Sequence, residues 1–270
     1  MTVAVTGGAR GIGRATADAF ARAGRAVAIG DLDLDEAERA ARAIGPAAIA
    51  LPLDVRERGS FGVFLDEAEE RLGPLEVLVN NAGIMSIGAF VDEDDETSRR
   101  MLEINAYGVL VGSRLAAPRM AAHGGGHIVN VASTAGRVGF SGGATYCATK
   151  FFVVGLSESL HAELRDSGVR VSCILPGLVD TELVAGLRVP RFVRATRPEA
   201  VADAIVEAVR RNRFETFVPR AMGAAGRLSS LFPRRMVEAA GRAVGAERAL
   251  FDHDRAARQA YDERVKQEAE

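Results

Sequence analysis

The sequence contains few of the residues that stabilise small extracellular domains or attract nucleic acids. Cysteine occurs only twice in 270 residues, at Cys147 and Cys173, which is not a disulfide framework, so a reducing cytoplasm is expected. The net charge of −2 removes the global positive charge that nucleic-acid binding needs. No apolar run has the length of a transmembrane helix. Strand-like residues begin at Thr2, so no signal peptide is expected.

Lysine and tyrosine are also scarce. The chain has two lysines, Lys150 and Lys266, against 32 arginines, and only three tyrosines. One of those tyrosines, Tyr146, lies four residues before Lys150, and residues four apart share a helix face. Arginine cannot easily replace an ammonium that must sit beneath a phenol and share protons with it. The Tyr146–Lys150 pair therefore marks a candidate site.

Short apolar segments alternate with amphipathic ones along most of the chain. This pattern indicates parallel strand–helix–strand units and predicts an α/β fold with a doubly wound parallel sheet. A single domain is expected over residues 1–220, with a helical C-terminal extension over 221–270. The predicted strands span 2–6, 26–30, 48–53, 75–80, 127–132, 169–175 and 216–218, and the predicted helices span 12–23, 36–44, 60–72, 98–123, 145–166 and 199–211.

The extension begins in a basic stretch. Between Arg210 and Arg242 there are eight arginines and two glutamates, Glu215 and Glu238. A solvated basic face accounts for this composition. The alternative is a helix that docks on a membrane surface or on a partner. In that case residues 210–242 would make peripheral membrane contact.

A glycine-rich turn follows the first predicted strand and opens the first helix. Glycines at such a turn let the backbone approach a pyrophosphate, and the helix N-terminus offers free N–H groups and partial positive charge. The strand–turn–helix context is the one a dinucleotide-binding motif requires. The candidate cofactor residues in this turn are Gly7, Arg10, Gly11, Ile12 and Gly13.

Asp31 ends the second predicted strand and bears on the choice of cofactor. A carboxylate there can accept hydrogen bonds from both ribose hydroxyls and repels a 2′-phosphate, which favours NAD over NADP. Arg10 favours NADP instead, because a basic side chain in the turn could bind the 2′-phosphate. Asp31, Asp33 and Asp35 also resemble the start of a calcium loop, but the later glycine and ligands are missing, so no metal site is predicted.

The catalytic chemistry follows from three side chains. Ser133 follows the fifth predicted strand at its carboxyl end, where open α/β sheets bind ligands, and can meet Tyr146 and Lys150 there. Tyrosine has a pKa near ~10, which a close cation and an oxidised nicotinamide would lower. Tyr146 is then the acid/base for an alcohol proton while hydride leaves for the cofactor. Ser133 orients the substrate oxygen.

These residues together make the chain resemble the short-chain dehydrogenase/reductase family, whose fold is a Rossmann-type sheet. The resemblance covers residues 1 to about 220. The matching motifs are Thr6-Gly7-x-x-x-Gly11-x-Gly13, Asn80-Asn81-Ala82-Gly83, Ser133, Tyr146-x-x-x-Lys150 and Pro176-Gly177.

The resemblance implies further roles. It makes Asn105 a catalytic residue that bends a helix and holds a water beside Lys150, and it gives Lys150 and Tyr146 contacts with the cofactor. It also implies a homodimer or homotetramer, built through the helices at 98–123 and 145–166. The other cofactor positions implied are Asp54, Val55, Asn81, Ala82, Gly83, Pro176, Gly177, Val179 and Thr181.

The segments that form the substrate wall in that family are apolar here. They predict a hydrophobic secondary alcohol or its ketone as the substrate, such as a steroid-like, terpenoid or long-chain compound, with residues 180–197 as a mobile lid. The wall residues expected are Ile84, Met85, Val138, Phe140, Leu178, Leu183, Val184 and Leu187.

Three functions remain open at this point. The first is an NAD-dependent alcohol dehydrogenase or carbonyl reductase. The second is the same fold with bound NAD carrying out dehydration or epimerisation. The third is a non-enzymatic nucleotide sensor or membrane-docked scaffold that uses the basic segment. The complete set of Ser133, Tyr146, Lys150 and Asn105 disfavours a degenerate site.

Overall fold

The fold is described from a computed structural model, which covers residues 2–186 and 195–223 together with residues 235, 258, 259, 261, 263 and 264. Seven strands form one parallel sheet. They are β1 (Thr2–Thr6), β2 (Ala26–Asp31), β3 (Ala48–Pro52), β4 (Leu75–Asn80), β5 (Gly126–Val131), β6 (Val169–Pro176) and β7 (Glu215–Val218). Their order in the sheet is β3-β2-β1-β4-β5-β6-β7, which confirms the doubly wound prediction.

Helices cover both faces of the sheet. They are α1 (Gly11–Arg22), α2 (Leu34–Ile44), α3 (Arg58–Leu72), α4 (Asp95–Leu102), α5 (Val109–Ala122), α6 (Ala144–Glu163) and α7 (Pro198–Arg211). Residues of α1, α2 and α7 pack with one face, and residues of α3 and α5 pack with the other. The central strands are buried on both sides, which explains why they are continuously apolar rather than alternating.

The strand order reverses next to β1, whose neighbours are β2 on one side and β4 on the other. The chain leaves these neighbouring strands in opposite directions, so their carboxyl ends border a crevice. Open α/β sheets bind ligands at such a point. The fold thus brings the glycine turn after β1, Asp31 at the end of β2 and Asn81 after β4 to one edge.

The single helix predicted over 98–123 is wrong in one respect. The helical segment is interrupted by a wider π-helical turn, Glu103–Gly108, between α4 and α5. The Asn105 side chain lies within this turn and is hydrogen-bonded to Ile84 and Thr149, outside the helix. Such inserted turns are common at functional sites, and hydrophobic periodicity does not reveal them. The other predicted elements differ from the observed ones by three residues or fewer at either end.

The predicted extension lies mostly outside the described residues, so the boundary near residue 220 stays a prediction. In the described part of the basic segment, Arg210 and Arg211 both pair with Glu207, which lowers the charge they present. Among the helices that the structure describes, none has the length and apolar character needed to cross a bilayer.

Candidate active site

A cleft of about 930 Å³ opens along the carboxyl edge of the sheet. Its lining includes the glycine turn and Asp31 at one end and Ser133, Tyr146 and Lys150 at the other. The residues predicted to bind a dinucleotide and those predicted to carry proton chemistry therefore share one cavity, although they come from distant parts of the chain.

The glycine turn leaves no room for a Cβ at Gly7 or at Gly13. Gly7 has a φ of +61°, and a Cβ there would lie 2.8 Å from the Cα of Ala82. A Cβ on Gly13 would lie 2.1 Å from the carbonyl oxygen of Gly7. The Asn81 amide donates to the carbonyls of Thr6 and Gly7, each at 3.0 Å. The turn is thus bound to the segment after β4, and only glycine fits its closest approaches.

Asp31 ends β2 facing this turn. Its carboxylate accepts hydrogen bonds from the backbone N–H groups of Ala9 at 2.9 Å and Asp33 at 3.2 Å. Burial raises the pKa of the Asp31 carboxyl, and these two donors act in the opposite direction. Arg10 lies 2.6 Å from the Asp33 carboxylate and 3.8 Å from that of Glu36. The turn arginine is therefore held by two carboxylates of the α2 N-terminus.

Asp54 and Val55 follow β3 and line the same end of the cleft. The Asp54 carboxylate is held by Arg56, with 2.6 Å between Oδ2 and the guanidinium. The Asp54 backbone N–H donates to the Ser60 hydroxyl at 3.0 Å. A Cβ on Gly108 would lie 3.1 Å from the Val55 side chain. The π-helical turn therefore packs directly against Val55, one of the predicted cofactor residues.

Tyr146 and Lys150 lie in the first turns of α6, and both are buried. The Lys150 ammonium is 5.7 Å from the centre of the Tyr146 ring and donates to the Val131 carbonyl at 3.1 Å. The Ser133 hydroxyl is close enough to Tyr146 to act on the pKa of the phenol. The fold thus joins a phenol, a hydroxyl and an ammonium in one group at the buried end of the cleft.

Ser133 is oriented by its surroundings. It follows β5 in extended backbone conformation and caps a short 3₁₀ turn. Its hydroxyl oxygen accepts from the Ala135 backbone N–H at 3.1 Å and lies 3.3 Å from the Pro176 carbonyl, to which it can donate. These contacts hold the oxygen beside Tyr146, at the carboxyl ends of β5 and β6.

The electrostatics of this group differ from the sequence-based expectation. Burial raises the pKa of the Tyr146 hydroxyl, and the hydrogen bond to Ser133 only partly opposes it. Loss of hydration sets the net direction, and the lowering expected from Lys150 is not among the causes that act on this pKa. Burial also lowers the pKa of Lys150 to about 8.

Asn105 does not line the cleft, but it is hydrogen-bonded to Ile84, which does. Its amide oxygen accepts from the Ile84 N–H at 2.8 Å, and its amide nitrogen donates to the Ile84 carbonyl at 2.8 Å. The same nitrogen donates to the Thr149 hydroxyl at 3.2 Å. A Cβ on Gly83 would lie 3.2 Å from the Asn105 oxygen and 3.7 Å from the Lys150 nitrogen. Asn105 therefore links the wall after β4 to helix α6, close to Lys150.

Nearly all of the predicted cofactor residues line the cleft. Gly13 is the exception, because it lies beneath the turn and supports Gly7. The lining positions are Gly7, Arg10, Gly11, Ile12, Asp31, Asp54, Val55, Asn81, Ala82, Gly83, Tyr146, Lys150, Pro176, Gly177, Val179 and Thr181.

The predicted apolar wall also lies on the cleft. Its lining members are Ile84, Met85, Val138, Phe140, Leu178, Leu183 and Val184. Leu187 falls outside the described residues, as does the centre of the expected lid. The Phe140 ring lies 6.4 Å from the Tyr146 ring, which places this apolar wall next to the phenol.

The lining residues that sequence reasoning did not single out include Arg100, Tyr261 and Arg264. Arg100 pairs with Glu96 along its own helix, and Arg264 pairs with Glu182 near the start of the expected lid. No local pattern marks these positions. The scarcity of tyrosine was the only signal that could have drawn attention to Tyr261.

Comparisons with known proteins identify the family. A family model described as short chain dehydrogenase matches residues 1–190. A sorbitol dehydrogenase of Cereibacter sphaeroides is 42% identical over 182 residues, covering 67% of this chain and 71% of the relative. A cis-4-hydroxycyclohexanecarboxylate dehydrogenase of Sinomonas cyclohexanicum is 42% identical over 215 residues, covering 74% and 86%.

Among solved structures, a short-chain dehydrogenase/reductase of Burkholderia phymatum in complex with NAD superposes with a TM-score of 0.78 at 27% identity. The match covers 85% of this chain and 92% of that one. The sheet and glycine turn define a Rossmann-type nucleotide-binding protein. More specifically, the chain belongs to the short-chain dehydrogenase/reductase family of oxidoreductases.

Proposed function

We propose that this protein is an NAD-dependent dehydrogenase that interconverts a hydrophobic secondary alcohol and its ketone. One observation carries the proposal. The buried group of Ser133, Tyr146 and Lys150 shares a cleft with a glycine turn whose closest approaches leave no space for a Cβ and with a carboxylate at the end of β2. One cleft can then bind the dinucleotide and carry out the proton transfer.

The residues divide the chemistry between them. NAD, when bound, supplies the acceptor for the hydride that leaves the alcohol carbon. Tyr146 takes the hydroxyl proton during oxidation and returns it during ketone reduction. Ser133 donates a hydrogen bond to the substrate oxygen, and the Lys150 charge favours the phenolate. Because burial raises the pKa of Tyr146, its protonated form is the one ready to donate to a ketone.

Asp31 and Arg10 support NAD rather than NADP. The Asp31 carboxylate would accept hydrogen bonds from the ribose hydroxyls, and a 2′-phosphate there would meet a like charge. Arg10, the base that could have offset this repulsion, is already paired with Asp33 and Glu36. The structural neighbour from Burkholderia phymatum holds NAD, which agrees with this assignment.

The apolar wall supports a hydrophobic substrate, and a cyclic alcohol suits it best. The Sinomonas relatives are named for the cis and trans isomers of 4-hydroxycyclohexanecarboxylate, which carry a secondary alcohol on an apolar ring. The Cereibacter relative is named for sorbitol, a polar polyol. We favour the ring compounds because Met85, Phe140 and Leu183 would bury the body of a polyol without partners for its hydroxyls.

The test is NADH formation, followed at its absorbance band, with cyclohexanol, a bulky steroid alcohol and a charged sugar acid. We expect oxidation of the apolar alcohols with NAD, and a loss of about 1,000-fold in kcat in Tyr146→Phe. Tyr107→Phe, at a half-exposed tyrosine, is the matched control.

Other outcomes of these assays would contradict parts of the proposed function. Equal turnover of the sugar acid would contradict the hydrophobic substrate, and tighter binding of NADP would contradict the role of Asp31. Chemistry without net NADH would favour dehydration or epimerisation. Full function in Tyr146→Phe would favour a nucleotide sensor or scaffold.

We also propose a homo-oligomer, as is usual in this family. Apolar side chains stay substantially exposed on the helices expected to pair between subunits: Leu102, Tyr107, Phe151 and Phe152. Exposed apolar groups clustered on one surface favour association. Light scattering on the full chain measures the mass, and a monomer at micromolar concentration would contradict this proposal.

A further inference from the structure

Residues from the far end of the chain reach the substrate end of the cleft. Tyr261 and Arg264 both line it, and the Tyr261 side chain is almost fully buried, with 6% of its surface exposed. Tyr261 is 176 residues from Met85, the residue it contacts directly. The C-terminal region therefore contributes directly to the site, in addition to extending the chain beyond the Rossmann sheet.

Arg258 attaches this region to both walls of the substrate end. Its guanidinium is 2% exposed and donates to the carbonyl of Met85. It also lies 3.3 Å from the Leu183 carbonyl and 3.4 Å from the Ala185 carbonyl. Met85 follows β4 and the other two follow β6, so a single buried side chain connects the two segments.

The Tyr261 side chain is also fixed by several contacts. Its hydroxyl accepts a hydrogen bond from the Met85 N–H at 2.9 Å. The guanidinium carbons of Arg258 and Arg264 lie 4.9 Å and 5.5 Å from the centre of its ring, within cation–π range. Arg264 in turn pairs with Glu182.

We propose that Arg258 and Tyr261 dock on the segments after β4 and β6 at the substrate end of the cleft, where the Tyr261 ring contacts the apolar body of the alcohol and determines which alcohols fit. This selection rests on the proposed function, because it needs an alcohol in the cleft. The contacts of Arg258 and Tyr261 with Met85 do not depend on the proposed function. Tyr261 is a specificity-determining residue, and Arg258 is a positioning residue that acts through Met85, Leu183 and Ala185.

The docking is tested by hydrogen exchange at the Met85 amide in the full chain. In Tyr261→Phe the ring remains but the acceptor oxygen is lost, so exchange at Met85 should accelerate at least tenfold. Gln259→Ala is the control, because Gln259 is exposed and bonds to Glu263 on its own segment. Unchanged exchange in Tyr261→Phe would overturn the docking.

Selection is tested by binding, so that it does not depend on turnover. Dissociation constants for cyclohexanol and for a bulky steroid alcohol are measured by ligand-detected NMR with NAD present, for wild type and Tyr261→Ala. Removing the ring should shift the ratio of the two constants at least tenfold towards the bulky alcohol, while NAD affinity stays within twofold. An unchanged ratio would overturn the selection role. Absence of NADH formation in wild type would count only against the dehydrogenase assignment.

Discussion

The two ends of the cleft are built in different ways. The nucleotide end consists of backbone and a few short side chains, and most of its residues lie within a few positions of the end of a strand. The substrate end consists of large side chains from segments after β4, β5 and β6 and from the C-terminal region. An end built from backbone is recognisable in the sequence. An end built from distant side chains takes its shape only after folding.

This difference also sets how each end tolerates change. A methyl group added beneath the glycine turn meets main-chain atoms that cannot move aside, as Gly13 and Gly7 illustrate. A substrate-side residue such as Val138 is half exposed, and a smaller side chain there leaves its neighbours in place. Substitutions should therefore be costly at the nucleotide end and graded at the substrate end.

The largest effect is expected from Gly13→Ala. The new Cβ would overlap the Gly7 carbonyl, so the turn must shift and NAD affinity should fall at least about 100-fold. Gly62→Ala is the control, because a Cβ there meets nothing within 4 Å. NAD titration monitored by calorimetry measures both, alongside a thermal melt of each variant. Equal NAD affinity in the two folded variants would show that the nucleotide end tolerates substitution as well as the substrate end does.

Asp31→Asn should have the next largest effect. Loss of the charge weakens the hydrogen bonds to the ribose and removes the repulsion of a 2′-phosphate, so the preference for NAD over NADP should fall by about 30-fold. Asp35→Asn, at an exposed acid in the first turn of α2, should leave the preference unchanged. The measurement is the ratio of the two dissociation constants. A constant ratio in Asp31→Asn would show that this carboxylate does not select the cofactor.

The buried Lys150 should make stability depend on pH. Its pKa is about 8 in the folded protein and 10.5 for a free lysine side chain, so the unfolded chain binds more protons between these values. The burial cost is complete below pH 8 and declines as the pH rises. Relative to Lys150→Met, wild type should gain about 2 kcal/mol in unfolding free energy between pH 7 and 9.5.

Urea denaturation of both proteins at the two pH values measures this gain. The shift that burial imposes on Cys173 occurs in both proteins, so it cancels in the comparison. If the difference between the two proteins were the same at both pH values, Lys150 would be ionised as freely in the fold as in water.

The smallest effect is expected at the substrate end. Val138 lines the cleft but has 53% of its surface exposed, so Val138→Ala removes little buried area. The KM for cyclohexanol should rise by no more than about threefold, with the NAD dissociation constant unchanged. Steady-state kinetics measure the first quantity and calorimetry the second. A large loss of NAD affinity would mean that the two ends are not separable.

Much of the fold could be predicted because parallel strands buried on both faces are continuously apolar. Helices such as α1 and α7 likewise show one apolar stripe each. The resemblance predicted that Asn105 bends a helix, but hydrophobic spacing does not reveal the π-helical turn at Glu103–Gly108, where Asn105 bonds to Ile84 outside the helix. The ion pairs that occupy Arg10 were hidden for the same reason, although Asp33 is a typical helix cap.

The sheet, the glycine turn and the Tyr146–Lys150 pair can be read from the chain, because they depend on local spacing and on residue types that few others can replace. The proton affinities arise on folding, since burial raises the pKa of Tyr146 and lowers that of Lys150 to about 8. The substrate wall likewise forms only on folding. Arg258 and Tyr261 reach Met85 through space, and no spacing along the chain encodes a contact across 176 residues.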